Sequence, residues 1–429
     1  MKHSGFKIYL LIWLGTFISE IGTGMTSFAL GIYIYQLTGQ ASSSAFVTLC
    51  AFLPGLLMTP LAGILADRYD RRLLMALGDG LSGLGVLWIY FSLQTNQPSL
   101  LLICLGAAIS SVFSALVHPA FRATISDLVP EDQISKASGL SQINGIARYL
   151  ISPSLAGLIL AQRTIAQILL IDFSTIFVTV ICSLAARRHI KTVQKSTPHP
   201  FWSEFMRGFQ IIHEKRGIWL LVLLGTAFSF FLGTVEILLS PMILGFASSQ
   251  EVGWTMAISS SGMLLGGLIL GIFSIKRRFH LILSLSLGLL GIFMAGMGSK
   301  ENLVWICFFG FFLFMSLPFA NTAIDYLIRL NIDKCEQGKA WGTIGIISQF
   351  GYVIAYASMG WVADSFFKPL LLPKGALTNW LGSIIGIGSS RGYGLLLILA
   401  GFCISISALF LYRQPAIKEL EYVSKINSE

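Results

Sequence analysis

The stretch Gly63-Ile-Leu-Ala-Asp-Arg-Tyr-Asp-Arg-Arg72 decides the fold. It sets Asp67, Arg68, Asp70, Arg71 and Arg72 abruptly between two long apolar runs, 45–66 and 73–91. Charge packed so tightly between two apolar runs reads as a hairpin at a membrane surface. The rest of the chain has the matching composition: 55% hydrophobic and only 11% charged residues, with a mean hydropathy of +0.76. Soluble domains carry about 25% charged residues, so a membrane-embedded bundle is the class that remains.

Outward from the hairpin, twelve apolar runs are long enough to cross a bilayer core: approximately 7–35, 44–66, 73–94, 98–118, 137–161, 165–186, 217–245, 252–275, 280–298, 302–322, 340–364 and 393–412. Each is too continuously apolar for a barrel strand, so helices are expected. With the N-terminus inside, Lys and Arg gather in cytoplasmic segments. Arg163, Lys300, Lys368, Lys374 and Arg391 fall outside, and Arg148 falls within a span. This imbalance predicts that both termini are cytoplasmic. Lys2, His3 and Lys7 precede the first run without a small-residue cleavage site, which reads as a retained first helix and insertion signal.

The longest polar interruption carries Arg187, Arg188, Lys191, Lys195, Arg207, Lys215 and Arg216 around Pro198 and Pro200. It divides the chain into an N-terminal six-helix bundle (1–186), a cytoplasmic linker (187–216), a C-terminal six-helix bundle (217–412) and a cytoplasmic tail (413–429). Within the linker, 201–214 has the pattern of an amphipathic surface helix. A weak repeat agrees with the division: Lys136-Ala-Ser-Gly139 opens the fifth span and Lys339-Ala-Trp-Gly342 the eleventh. The expected fold is an all-α polytopic membrane protein of twelve transmembrane helices in two pseudo-symmetric bundles.

The formal charge of +9 forms no extended basic stripe, so nucleic acid is not an expected partner. Cys50, Cys104, Cys182, Cys307, Cys335 and Cys403 have neither disulfide nor zinc spacing, and no cluster of His or Cys indicates a metal or an enzyme.

At Gly63 to Arg72 the chain resembles the signature loop between helices two and three of the major facilitator superfamily, Gly-x-Leu-Ala-Asp-Arg-x-Gly-Arg-Arg. Gly63, Leu65, Ala66, Asp67, Arg68, Arg71 and Arg72 match it, Asp70 replaces the usual glycine, and Leu74 stands where a last basic residue is common. The Asp-Arg-Tyr-Asp-Arg-Arg form is similar to the subgroup of macrolide efflux proteins and the enterobactin exporter. So are Tyr35-Gln-Leu-Thr-Gly39, Pro54, Asp127-Leu-Val-Pro-Glu131 and Gly386-Ile-Gly-Ser-Ser-Arg-Gly392. Ser152-Pro-Ser-Leu-Ala-Gly157 resembles a small-residue version of the family's antiporter motif, in which Ser152 and Gly157 allow close approach and Pro153 a bend.

The resemblance implies that Asp67 and Arg71, with Gly63, Arg68 and Arg72, latch the two halves at the cytoplasmic face. Asp67 is read as lying near the start of helix three, accepting from exposed helix N-H groups, with Arg71 one turn away steadying it. A simple basic turn that sets topology is the plainer reading. The equivalent turn after helix eight, Ile275-Lys-Arg-Arg278, has no aspartate. Asp67 and Arg71 are therefore expected to carry the latch alone.

Charges inside spans are the candidate transport residues, because an ionisable group near the bilayer centre costs roughly 2.5–3.5 kcal/mol on insertion scales unless it has a partner or water. Glu20 and Arg148 lie near mid-span and border the central cavity in the resembled fold. They are read as a proton-binding carboxylate and its cation, or as a static pair with a polar neighbour such as Thr23. Glu236, in the outer half of the seventh span, would attract a cationic or hydroxyl-rich substrate, or stand in water at the mouth. Asp79 is read as structural before proton transfer, and Asp172 lies nearer the outside. Arg122 and Asp325 occupy equivalent places in the two halves and suggest a salt bridge formed when the inner face closes. The loop 364–392 reads as a packed extracellular cap, or an outer gate. Phe308 to Phe314 read chiefly as helix packing.

The function expected is secondary active export of a small amphipathic molecule, such as a siderophore or macrolide-like drug, by proton antiport across a bacterial inner membrane. The protein would act as a monomer without cofactor, driven by the proton gradient. A proton-coupled symporter of the same fold is the alternative. A transport-inactive membrane sensor or a polytopic membrane enzyme is the reading from another class.

Overall fold

The computed structural model describes residues 2–95, 97–187, 201–273, 278–333 and 336–426; side chains are further excluded at 2–4, 126, 131, 135, 201 and 422–426. Residues 188–200 of the predicted linker, with Pro198 and Pro200, and the turn residues 275–277 lie outside them. Among the described residues no strand occurs, and twelve helices are long and apolar enough to cross a membrane.

The helices run α1 (Lys2–Thr38), α2 (Ala41–Arg68), α3 (Arg71–Leu93), α4 (Leu100–Ser114), α5 (Val117–Leu128), α6 (Ile134–Gln162), α7 (Ile165–Arg187), α8 (Phe201–Glu214), α9 (Arg216–Leu244), α10 (Ser249–Ile272), α11 (Phe279–Ser299), α12 (Leu303–Asn331), α13 (Gln337–Val362), the short α14 (Lys368–Leu370) and α15 (Gly382–Ile385), α16 (Ser389–Arg413) and α17 (Pro415–Ile426). The fourth span extends past the predicted end at residue 118, because α4 and α5 are two pieces of one crossing interrupted at Ala115 and Leu116. The segment 413–429, expected from sequence as a cytoplasmic tail, contains the helix α17.

The chain forms two compact units, Met1–Gly39 with Phe46–Pro198 and Gln40–Ala45 with His199–Glu429. Pairing repeats between them. In the first, α1 packs on α6 and α7, and α3 on α4 and α7; in the second, α9 packs on α13 and α16, and α11 on α12 and α16. The first core gathers Met25, Ile34, Ile89, Ile103 and Ile168 in one cluster and Tyr9, Ile12, Met75 and Phe121 in another. Lipid tails are as apolar as these side chains, so close packing must hold the helices together. Gly291 and Gly401 show how: a Cβ on either would stand 2.4 Å from the other's carbonyl oxygen.

Helix α8 forms where an amphipathic helix was expected and docks on α13. Phe205 O accepts from Thr343 Oγ1 at 3.3 Å, and Arg207 Nη2 lies 2.7 Å from Glu336 Oε1. Of the Phe308 to Phe314 rings, Phe308, Phe309, Phe311 and Phe312 pack edge to face along α12, and Phe309 and Phe312 meet Phe293 of α11 at a tilt.

The first turn of α2 belongs to the second unit for a specific reason. Asp364, in the single π-helical turn Ala363–Phe367 that follows α13, accepts from Ala41 N at 3.2 Å, Ser42 N at 2.8 Å and Ser42 Oγ at 2.7 Å. Tyr393 OH of α16 donates to it at 2.8 Å. Gly360 makes the approach feasible, since a Cβ there would stand 2.7 Å from Ser42 Cα.

The loop 364–392 is built as a cap. Gly386 and Gly388 take φ of 95° and 149°, which lets the chain turn into α16. Arg391 then lies fully buried and donates through Nη2 to Gly298 O and Ser299 O, both at 2.9 Å, so it caps the last carbonyls of α11. Ser390 Oγ donates to Glu301 Oε1 at 2.5 Å. Arg391→Leu is expected to lower stability by about 1–3 kcal/mol, because two buried carbonyls lose their donor. The check is the thermal unfolding midpoint in detergent; an unchanged midpoint would show the cap to be dispensable.

Candidate functional site

The first unit assembles a charged cluster in the middle of its spans. Glu20 stands midway between the ends of α1, and Arg148 midway between the ends of α6. The two helices meet there because Gly24 carries no side chain: a Cβ would stand 2.5 Å from Ser152 Oγ and 3.0 Å from Arg148 Cγ. Ser152 Oγ donates to Ile21 O at 2.9 Å and fixes the crossing. Arg148 Nη1 consequently lies 3.6 Å from Glu20 Oε2. Helix α6 remains one continuous helix through Pro153, with Gly157 buried beyond it.

His118 completes the cluster, its Nε2 3.1 Å from Glu20 Oε1. It is the second residue of α5, directly after the break in the fourth span. Pro119 accounts for the break: it has no N-H to return to the carbonyl of Ala115, and its ring crowds the preceding turn. In the sequence the fourth apolar run closes at His118, so its position does not set it apart as a candidate. The dipeptide His118-Pro119 inside an apolar run was the signal available.

The cluster is not sealed. The Glu20 side chain is 16% exposed, but Arg148 and His118 are 37% and 64% exposed. Charged groups within spans are found facing the bundle interior or a water-filled cavity, and an open side on this cluster suits such a cavity. A carboxylate bridging an imidazole and a guanidinium there can bind a proton, and it can yield either partner to a polar ligand.

Thr23 does not serve Glu20. Its hydroxyl donates to Asp172 Oδ1 at 3.4 Å, and Asp172 is buried, 1% exposed, between α1 and α7. Asp79 is 6% exposed, lies beside Ser19 and Thr179, and its Oδ2 has no hydrogen-bond partner among the described residues. Three carboxylates, Glu20, Asp79 and Asp172, thus share the interior of the first unit. In the second unit Glu236 is exposed on α9 and accepts from Tyr356 OH of α13 at 2.5 Å.

The hairpin differs from its predicted chemistry. Asp67 is exposed in the last turn of α2 and does not begin α3. The N-cap of α3 is Asp70, the family's missing glycine, whose Oδ1 accepts from Arg72 N at 3.1 Å and whose Oδ2 lies 2.9 Å from Arg187 Nε. Arg71 steadies a different acid: its Nη1 reaches Asp127 Oδ1 at 2.6 Å and Ala123 O at 2.7 Å, and its Nε reaches Ala66 O at 3.2 Å. Arg72 is buried and Arg68 exposed. A Cβ on Gly63 would meet nothing within 4 Å, so nothing in the structure explains that glycine. Arg122 and Asp325 are each exposed within their own unit.

The sequence model of one family, described as the Major Facilitator Superfamily, matches residues 12–356. Macrolide efflux protein A of Streptococcus pyogenes is 25% identical over 380 residues, covering 85% of this chain and 91% of that protein. Enterobactin exporter EntS of Escherichia coli O81 is 26% identical over 405 residues, covering 92% of this chain and 90% of that protein. The crystal structure of nucleoside transporter NupG aligns with a TM-score of 0.70 at 13% identity, covering 95% of this chain and 99% of that one. A bacterial homolog of the human lysosomal transporter Spinster, in an inward-facing and unoccupied conformation, aligns with a TM-score of 0.72 at 13% identity, covering 99% of both chains. These structures agree in fold.

Proposed function

The chain belongs to the Major Facilitator Superfamily, and from that membership we propose that it exports a small amphipathic molecule, of the siderophore or macrolide class, in exchange for protons. The observation that carries the reading is the Glu20 carboxylate held mid-membrane between His118 and Arg148 with an open side. The names of the efflux protein and siderophore exporter similar to it in sequence support the substrate class and the direction.

Glu20 with a proton loses its charge attraction to Arg148, and Arg148 becomes available to a polar group of the substrate. Substrate and proton thus compete for one site. Each biases the unit toward a different set of contacts, and that differential binding is what an alternating-access cycle needs. Glu236 with Tyr356 offers the second unit's acceptor for hydroxyl-rich substrates. No cofactor enters the cycle; the proton gradient supplies the energy. The protein acts as a monomer in a bacterial inner membrane with both termini cytoplasmic.

Inside-out vesicles with an acidic lumen are the test. Erythromycin or a catecholate siderophore is expected to accumulate in the lumen while protons leave. Accumulation in right-side-out vesicles driven by an inward proton gradient would overturn export in favour of symport, and uptake indifferent to the gradient would overturn proton coupling.

A further inference from the structure

The second cytoplasmic hairpin lacks an acid of its own, and the fold supplies one from elsewhere. Helix α11 begins after Arg278, which sits at φ 62° and provides no side-chain cap. The first N-H groups of a helix need acceptors. Glu421 of α17 provides them: Oε1 accepts from Arg278 N at 2.5 Å, and Oε2 accepts from His280 N at 3.4 Å while contacting His280 Nδ1. Burial alone would raise the Glu421 carboxyl, but the His280 ring and the two backbone N-H groups outweigh it and hold the group below the usual carboxylate range.

Comparison with the first half gives this contact its meaning. There Asp70, inside the hairpin, caps α3 and pairs with Arg187 at the end of the sixth span. In the second half the basic partner, His280, lies at the hairpin, and the acid lies just beyond the twelfth span. The two halves therefore place a contact between a carboxylate and a nitrogen base across the same two features, with the acid at the hairpin in the first and beyond the last span in the second. Helix α17 is also tied to two other span ends. Asn331 Nδ2, at the end of α12, donates to Leu420 O at 2.9 Å, and Asn331 O accepts from Lys215 Nζ at 2.5 Å. Gly217 of α9 leaves room for Ala416 O and Leu420, while Ile417 and Leu420 are buried.

We propose that Glu421 is the positioning carboxylate of the α11 N-terminus, and that α17 is a removable cap which biases the conformational equilibrium of the transporter. Asp70 is part of the hairpin it caps and stays with it. Glu421 leaves whenever α17 lifts, so the start of α11 can be uncapped without unfolding while the start of α3 keeps its cap.

The test needs no substrate. In full-length protein with native cysteines replaced and spin labels at positions 122 and 325, in nanodiscs, the label-to-label distance distribution reports conformational populations. Glu421→Ala is expected to change their ratio roughly fivefold, the order of a lost helix cap. Hydrogen exchange should rise at the start of α11 and stay unchanged at the start of α3. His280→Ala should shift the populations in the same direction, and the double variant no further than Glu421→Ala. Glu421→Gln, which keeps an acceptor and the packing, should fall between and guards against a folding defect in the alanine variant. An unchanged distance distribution in folded Glu421→Ala protein would overturn the proposal, as would equal loosening of α3. Because neither readout involves transport, failure here is distinct from failure of the export reading.

Discussion

Glu20→Gln is expected to reduce proton-driven transport by at least about 100-fold while leaving the protein folded and inserted. The amide keeps the size of the carboxylate, and its oxygen still accepts from His118 or Arg148, so packing between α1, α5 and α6 survives. What disappears is the charge. Removing one partner of a buried ion pair costs about 3–5 kcal/mol; this cluster opens on one side, so part of that cost is relieved by water. Even about 2.7 kcal/mol corresponds to the stated factor. On the proposed antiport reading, the larger loss is of the carboxylate that would exchange a proton for substrate. Substrate uptake and lumenal pH should be followed together in the same vesicles. Normal uptake with an unchanged proton-to-substrate ratio would remove Glu20 from coupling and leave Asp79 and Asp172 as the acids to pursue.

The parts of this molecule legible from sequence are those set by the bilayer. Twelve apolar runs and one charged hairpin follow from the cost of exposing backbone and charge to lipid, a cost that acts on short stretches. Glu20 and Arg148 were visible for the same reason. The contacts that specify the site depend on which helices touch. His118 stands at the last position of the fourth apolar run in the sequence, and the break at Pro119 that makes two helices of one crossing is what turns it to Glu20. Asp67 matched the family pattern and Asp70 departed from it, yet Asp70 meets the α3 N-terminus, because α2 runs on through Arg68. Glu421 lies in the tail beyond the last span, with no apolar run to mark it. Its partner is more than 140 residues away in sequence, and only the packing of α17 on Gly217 and Asn331 brings them together.

Asp364→Ala is expected to have the largest effect on conformational behaviour. One carboxylate accepts from two backbone N-H groups and a hydroxyl in the first turn of α2, and from Tyr393 OH. Hydrogen bonds to a charged group contribute about 1.5–3 kcal/mol each. They are not additive, and water replaces part of the loss, so about 3 kcal/mol is a reasonable net figure. Helix α2 begins in the second compact unit and continues in the first. A transport cycle that moves the units must therefore break this cap or carry the turn along with it. Hydrogen exchange at Ala41 and Ser42 is expected to rise roughly 100-fold in the alanine variant, with a shift in the label distances at positions 122 and 325. Asp364→Asn, which retains one good acceptor, should give a smaller change. Tyr393→Phe, which removes a single hydroxyl, should be smaller still. Protection at Ala41 and Ser42 that survives Asp364→Ala would show that the close approach at Gly360, and not the carboxylate, holds the turn.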